Sequence, residues 1–380
     1  MERGGKEERE GPAAGGTGGG AAGARGGAGS GPFTARVPTG EVSPGARTAP
    51  SLAEVTGPSA EPVAGGRGGP AFLFPARDAG CPGMGRDICR ASPAARRVFE
   101  EASEELGLDL ASACWEDGAE ALRSGPVAMA GTMATSLACM AALAERGVRP
   151  RAVAGWSQGE FTALAAASVL EAPDALRLVY RLEGIIQSVP GRERGRMARV
   201  MGLPTPALDE ICRRLRARGR EVYVALYIAP DQNTLSGEAG AVEEARAQAK
   251  AAGAALAFML PGEGAFHSPL MAEAARQAQP ILAGLRFSDP ALPLVLCYHG
   301  QEVRTGEEAR SLLGRQLAAP VRWEAVVRTL LGLGVSALVE VGPGRTVSGN
   351  TRLVAGSVPC LSVQDPRTLE EALRALDRGQ

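Results

Sequence analysis

The segment that most constrains this chain is Arg151-Ala152-Val153-Ala154-Gly155-Trp156-Ser157-Gln158-Gly159-Glu160. A short apolar run reads as a buried strand, and Glu160 to Val169 reads as a helix. Between them stands Gly155-Trp156-Ser157-Gln158-Gly159, a GxSxG turn. Flanking glycines let the backbone reverse sharply from strand to helix, leaving the Ser157 hydroxyl exposed above a sheet. The amides at the head of the helix then face any negative charge that develops beside that hydroxyl. This pattern predicts a layered α/β fold with a nucleophile at the end of a strand.

The rest of the chain agrees with such a fold. From Pro70 onward, short β-like runs alternate with amphipathic helices. Ala71-Phe72-Leu73-Phe74 reads as a buried strand ending at Pro75, and residues 94–106 and 127–146 read as helices, the second nearly apolar on all sides. Residues 197–261 form a βαββαβ series: strand 197–203, helix 206–218, strands 221–228 and 233–237, helix 241–252, strand 255–260. That order suits a small ferredoxin-like module inserted into a larger domain made of 70–196 and 262–380. Twenty of the 51 glycines fall in residues 1–70, with almost no large apolar side chains. Residues 1–69 are therefore expected to form a disordered Gly/Ala/Pro-rich extension, since such a segment cannot repay its ordering entropy.

Composition narrows the function classes. Forty-one Lys and Arg balance 42 Asp and Glu, so the net charge gives no reason to expect nucleic acid or an anionic membrane as partner. Seven widely spaced cysteines without a CxxC pair suit reduced, mostly buried thiols rather than a metal site. Neither a signal peptide nor a run of 18 apolar residues is evident, so a soluble, cytoplasmic protein is expected.

A serine nucleophile needs a base, and the chain offers two histidines, His267 and His299. His267 lies in Gly264-Ala265-Phe266-His267-Ser268-Pro269-Leu270-Met271, after the last strand of the inserted module. His299 follows the strand 293–296. Either could be an ordinary hydrogen-bonded structural histidine.

Four stretches in matching order, VAGWSQGEFTALAAASVL, GAFHSPLM, RQLAAPVRW and VEVGPGRTVSGNT, make residues 70–360 resemble the malonyl-CoA:acyl-carrier-protein transacylase family, the discrete and embedded acyltransferases of fatty-acid and polyketide synthesis. The resemblance implies an α/β-hydrolase-like large subdomain with an inserted ferredoxin-like small subdomain. It implies Ser157 as acyl-accepting nucleophile, His267 as base and then acid, and Gln316 as the source of a backbone carbonyl that orients the imidazole. The Gln158 amide would be one oxyanion donor and the loop after the first strand, at Arg77, the other. It further implies an acyl carrier protein as partner, an acyl thioester as substrate, and no bound cofactor or metal. Phosphopantetheine enters only as part of the substrate.

Departures from the family pattern bear on the acyl group. Arg77 stands where the family has Gln in Phe-Pro-Gly-Gln-Gly, and Trp156 replaces the His that usually precedes the nucleophile, either as packing or as an acyl-selecting wall. Malonyl-type members carry an Arg in a Leu-Val-x-x-Arg-Gly pattern that clamps the free carboxylate of the extender. Ungapped alignment on Leu178-Val179 puts Leu182 at that position, while Arg181 lies about 100° away round the helix. Leu226 and Ile228 stand where the family often has Asn. A buried carboxylate without its cation would cost several kcal/mol. A pocket lined by Trp156, Leu182, Leu226, Ile228 and Phe266 is thus expected to take a neutral, non-malonyl acyl group, unless Arg77 supplies a substitute clamp.

The sequence reading therefore carries an acyltransferase of polyketide-type metabolism, an editing acyl-carrier-protein hydrolase using the same Ser and His, and a weakly active scaffold that only docks carrier proteins. Carrier proteins are acidic, so Arg192, Arg194, Arg196 and Arg199 are candidates for docking, or else a solvated linker face.

Overall fold

In the computed structural model, residues 68–116 and 118–378 are described. The extension expected at residues 1–69 lies outside them, apart from Gly68 and Gly69. The strands are β1 (Ala71–Phe74), β2 (Ala152–Gly155), β3 (Gly195–Met201), β4 (Val222–Ala229), β5 (Gln232–Glu238), β6 (Leu256–Met259), β7 (Leu294–Val295), β8 (Glu302–Val303), β9 (Val321–Arg322), β10 (Leu338–Val341) and β11 (Cys360–Val363). Six of them form the main sheet, in the order β11-β10-β1-β2-β7-β8. It is parallel throughout except for the short β7–β8 pair. β1, β2 and β10 are buried on both faces, as their unbroken apolar runs require when helices cover both sides.

Against this sheet packs the helix Gly125–Glu145, 21 residues long and buried on nearly every face. By length and composition alone it could cross a membrane; here it is a core helix, 89% buried over its most apolar window. Its small residues allow the approach. A Cβ on Gly131 would fall within 3.0 Å of Cys114 Sγ and Met84 Cε.

The second sheet runs β6-β3-β5-β4-β9. Its first four strands are mutually antiparallel, and with the helices Thr205–Arg216 and Ala239–Ala251 they make the βαββαβ module expected at 197–261, with its first strand starting at Gly195. The order fourth-first-third-second is the ferredoxin-like one. One addition was not anticipated: β9, which follows the His267 segment in the chain, pairs in parallel with β4. The inserted module is thereby hydrogen-bonded to the segment just after Gln316 and Ala319, whose carbonyls face His267 Nδ1.

All seven cysteines are free thiols; Cys81 is exposed and Cys360 half-buried, and the other five are buried. Burial pushes the Cys89, Cys114 and Cys212 thiols up to about 12, which leaves them protonated and inert as nucleophiles.

Candidate active site

Ser157 follows the carboxyl end of β2, where ligand crevices of parallel sheets open. Its φ is +52°, a left-handed conformation that few non-glycine residues adopt. The strain is held by the turn: Gly159 N donates to Trp156 O and Glu160 N to Ser157 O, at 2.8 and 3.0 Å. Both flanking glycines are obligatory. A Cβ on Gly155 would fall within 3.0 Å of the Gly159 and Glu160 backbone, and one on Gly159 within 3.0 Å of the Phe74 carbonyl.

His267 reaches the nucleophile from a loop whose backbone is also left-handed, with φ +58°. Its Nε2 lies 2.6 Å from Ser157 Oγ, and its Nδ1 lies 3.2 Å from the carbonyls of both Gln316 and Ala319. Two carbonyl acceptors at Nδ1 fix the proton there and leave Nε2 as the acceptor facing the serine. Gln316 also holds the nucleophile, since its Nε2 donates to the Ser157 carbonyl at 2.5 Å. One residue thus orients the base through its backbone and braces the elbow through its side chain. The other histidine is elsewhere: His299 Nδ1 accepts from the Gln301 amide at 3.0 Å and takes no part in the pair.

Burial, the largest influence, lowers the His267 pKa below its ordinary 6.5, partly opposed by the Gln316 and Ala319 carbonyls. A depressed pKa keeps the imidazole neutral, and so able to accept a proton, to lower pH than a free histidine. The rate of acyl loading on Ser157 is therefore expected to stay flat as pH falls from 8 to about 6.5 and to decline only below that. A quenched-flow pH profile with its lower limb centred above 7 would contradict this reading of the base.

Two backbone amides, those of Gln158 and Arg77, are the candidate oxyanion donors. Gln158 opens the helix Gly159–Ala166, and Arg77 opens a short 3₁₀ turn after β1. Trp156 N donates to Phe74 O at 2.8 Å and so fastens the two segments together. Among the described residues neither the Gln158 nor the Arg77 amide donates to a backbone carbonyl.

Beneath the elbow lies Glu160, 1% exposed, which accepts from the Cys297 amide. Its burial raises its carboxyl to about 7, against the lowering effect of that amide. It joins the nucleophile helix to the end of β7.

The acyl side of the site differs from the sequence expectation. Leu182 does not face the nucleophile; it is 3% exposed within the main core cluster. The next residue, Glu183, enters the site instead. Its Oε1 pairs with Arg77 Nη1 at 2.5 Å and its Oε2 accepts from Gln158 Nε2 at 2.7 Å. One residue along the helix turns a side chain about 100°, which carries Leu182 to the core and Glu183 to Arg77 and Gln158, just before Gly184. Anchoring the comparison on Gly184 instead of Leu178-Val179 would have found Glu183.

Trp156, Leu226 and Ile228 also depart from the expected pocket lining. All three lie in the core cluster beneath the inserted sheet, where the Trp156 ring packs edge-on to Trp323 with centroids 5.1 Å apart. Trp156 is packing. Phe266 does border open space, a cavity of about 200 Å³ that also touches Arg77, Arg192 and Met197.

The four arginines divide. Arg199 is half-buried and donates to Gln232 Oε1 and Asn350 Oδ1, so it ties the inserted module to the large domain and is not a free docking charge. Arg192 and Arg196 hold the loop at Glu263, Arg192 through the Glu263 carbonyl at 2.7 Å and Arg196 through its carboxylate at 3.5 Å. Arg194 remains 85% exposed.

A parallel α/β body with an inserted ferredoxin-like module and a serine-histidine pair at their junction defines a class of acyl-transferring enzymes. Residues 71–352 match the acyl transferase domain family, and the chain belongs to it. It is 34% identical over 307 residues to the malonyl CoA-acyl carrier protein transacylase of Bacillus subtilis, covering 80% of this chain and 96% of that one. It is 32% identical over 305 residues to the polyketide biosynthesis protein ThaF of Burkholderia thailandensis, covering 80% of this chain and 26% of that longer protein. Among solved structures, a type II polyketide synthase malonyl-transacylase in complex with its acyl-carrier protein superposes with a TM-score of 0.77 at 33% identity, over 81% of this chain and 99% of that one.

Proposed function

We propose that this acyltransferase moves an acyl group lacking a free carboxylate from a CoA or carrier-protein thioester onto the phosphopantetheine thiol of an acyl carrier protein, in polyketide-type biosynthesis in the cytoplasm. The reading rests on one observation above others: Ser157 Oγ at 2.6 Å from His267 Nε2, with the opposite ring nitrogen held by two carbonyls.

Ser157 attacks the thioester carbonyl as His267 Nε2 takes its proton. The oxyanion is received by the Gln158 and Arg77 amides. Collapse breaks the carbon-sulfur bond, and the imidazolium returns the proton to the departing thiol. In the second half the carrier thiol gives its proton to His267, attacks the acyl-serine, and Ser157 leaves as the alcohol. The two carbonyls at Nδ1 serve in place of a triad carboxylate, because what is needed there is tautomer and orientation.

The relatives' names favour malonyl; the charges of this site favour otherwise. Arg77, the one cation offered as a substitute clamp, is already paired with Glu183, whose side chain is 1% exposed. A substrate carboxylate would join the pair as a second negative charge beside a buried carboxylate, with Arg77 already taken. The test is intact-protein mass spectrometry of a holo-carrier acceptor mixed with malonyl-, acetyl- and longer acyl-carrier donors. Transfer of the uncharged groups, about tenfold or more faster than malonyl, is expected from one unfavourable charge. Release of free acid without transfer would mean an editing hydrolase, and preferred malonyl transfer would mean that Arg77 acts as a clamp despite Glu183.

A further inference from the structure

The Arg77–Glu183 pair is not symmetric. Glu183 is 1% exposed, held by Gln158 Nε2 at 2.7 Å, and lies directly over Gly125, which has no side chain to push it away. Arg77 has a side chain 35% exposed, sits on a three-residue turn, and borders the cavity shared with Phe266 and Met197. The anion is the fixed partner and the cation the replaceable one. A ligand cation can take the place of the Arg77 guanidinium at Glu183 Oε1 and keep the buried carboxylate paired, while Arg77 turns outward to water. A ligand anion does not displace Glu183 in return, because Glu183 is 1% exposed and is held by Gln158 Nε2 as well.

We propose that the acyl group this enzyme accepts carries a primary amine, an aminoacyl chain whose ammonium is recognised by Glu183. This rests on the preceding reading that the site excludes carboxylates, and it names the class of acyl group within that reading. Loading leaves the amine untouched: the bond from Ser157 Oγ to the acyl carbon forms, the thioester carbon-sulfur bond breaks, and the pantetheine thiol departs with the serine's proton by way of His267. Gln158 is then doubly placed, its amide at the oxyanion and its side chain steadying the carboxylate that reads the substrate.

The test compares pantetheine thioesters of matched shape, 3-aminopropionyl against butyryl and glycyl against propionyl, with malonyl alongside, following the mass of acyl-Ser157 in the full chain. At least one aminoacyl group is expected to load about tenfold or more faster than its methyl counterpart, the value of a charge-assisted hydrogen bond. Glu183→Gln, which preserves shape and one acceptor, is expected to bring the ratio of aminoacyl to methyl loading, read within the variant itself, down to about one. Equal loading of amine and methyl partners by the unaltered enzyme, or an amine preference that survives Glu183→Gln, overturns the inference and leaves the transferase reading standing. Malonyl loading ahead of all others overturns both this inference and the exclusion of carboxylates. No acyl-serine from any donor overturns the transferase reading itself.

Discussion

Ser157→Ala is expected to leave a folded protein with no acyl adduct at this position and a transfer rate lowered by a factor on the order of 10⁴ or more. The fold should survive, since the left-handed backbone at this position is imposed by the turn and costs Ala no more than Ser. The variant loses a single side-chain contact, the bond to His267 Nε2. His267 needs a more careful substitution, because its φ of +58° penalises most side chains. Asn tolerates that conformation best among the polar residues, so His267→Asn separates loss of the base from loss of the loop. It should slow transfer to a similar extent. The double variant should be no slower than either single one, as residues acting as one unit do not add. Intact-mass measurement of acyl-enzyme after mixing with a thioester checks all three. An adduct on Ser157→Ala at the unaltered rate would place the nucleophile elsewhere.

Much of this machinery was legible in the residues. GxSxG between an apolar run and a helix yields the elbow, because the two glycines are the only residues that fit there. The βαββαβ series was likewise readable, since alternating and helical periodicities switch cleanly between 197 and 261. What escaped depended on distance in the chain or on rotation about a helix axis. β9 spans two residues, too few for any periodic signal, and its pairing with β4 joins positions nearly a hundred residues apart. Leu182 and Glu183 are neighbours in sequence, yet one faces the core and the other reaches Arg77 and Gln158, so a single-residue ambiguity in register exchanges an apolar wall for a carboxylate. Trp156 was expected at the substrate because it precedes Ser157, and Leu226 and Ile228 because they stand where the family often has Asn. Their side chains belong to the buried cluster that also holds Trp323. Adjacency in sequence located the site; side-chain direction decided its chemistry.

Gly155→Ala and Gly159→Ala are expected to destabilise the protein by about 2–4 kcal/mol each, the largest stability effects predicted here for single methyl additions. The obstruction in both cases is backbone, which no rotamer change can relieve. At Gly155 the added Cβ meets the peptide of Gly159 and Glu160; at Gly159 it meets the carbonyls of Phe74 and Pro75, within 3.0 Å in each case. Gly184 supplies the control on the same scale. It lies exposed inside the helix Ala172–Ser188, and a Cβ there would meet nothing within 4 Å. Gly184→Ala should therefore stabilise by about 0.5–1 kcal/mol through helix propensity alone. Denaturant unfolding of the three variants reads the difference in sign. Gly159→Ala has a second consequence, because Phe74 and Pro75 lead directly into Arg77, whose amide is one of the two proposed oxyanion donors. Pushing that loop away should lower the loading rate even under conditions where the variant is fully folded, and Gly184→Ala should not. If Gly159→Ala unfolds at the same denaturant concentration as the unaltered chain, the close approach of the elbow to the β1 loop is wrong, and the two-amide oxyanion site falls with it.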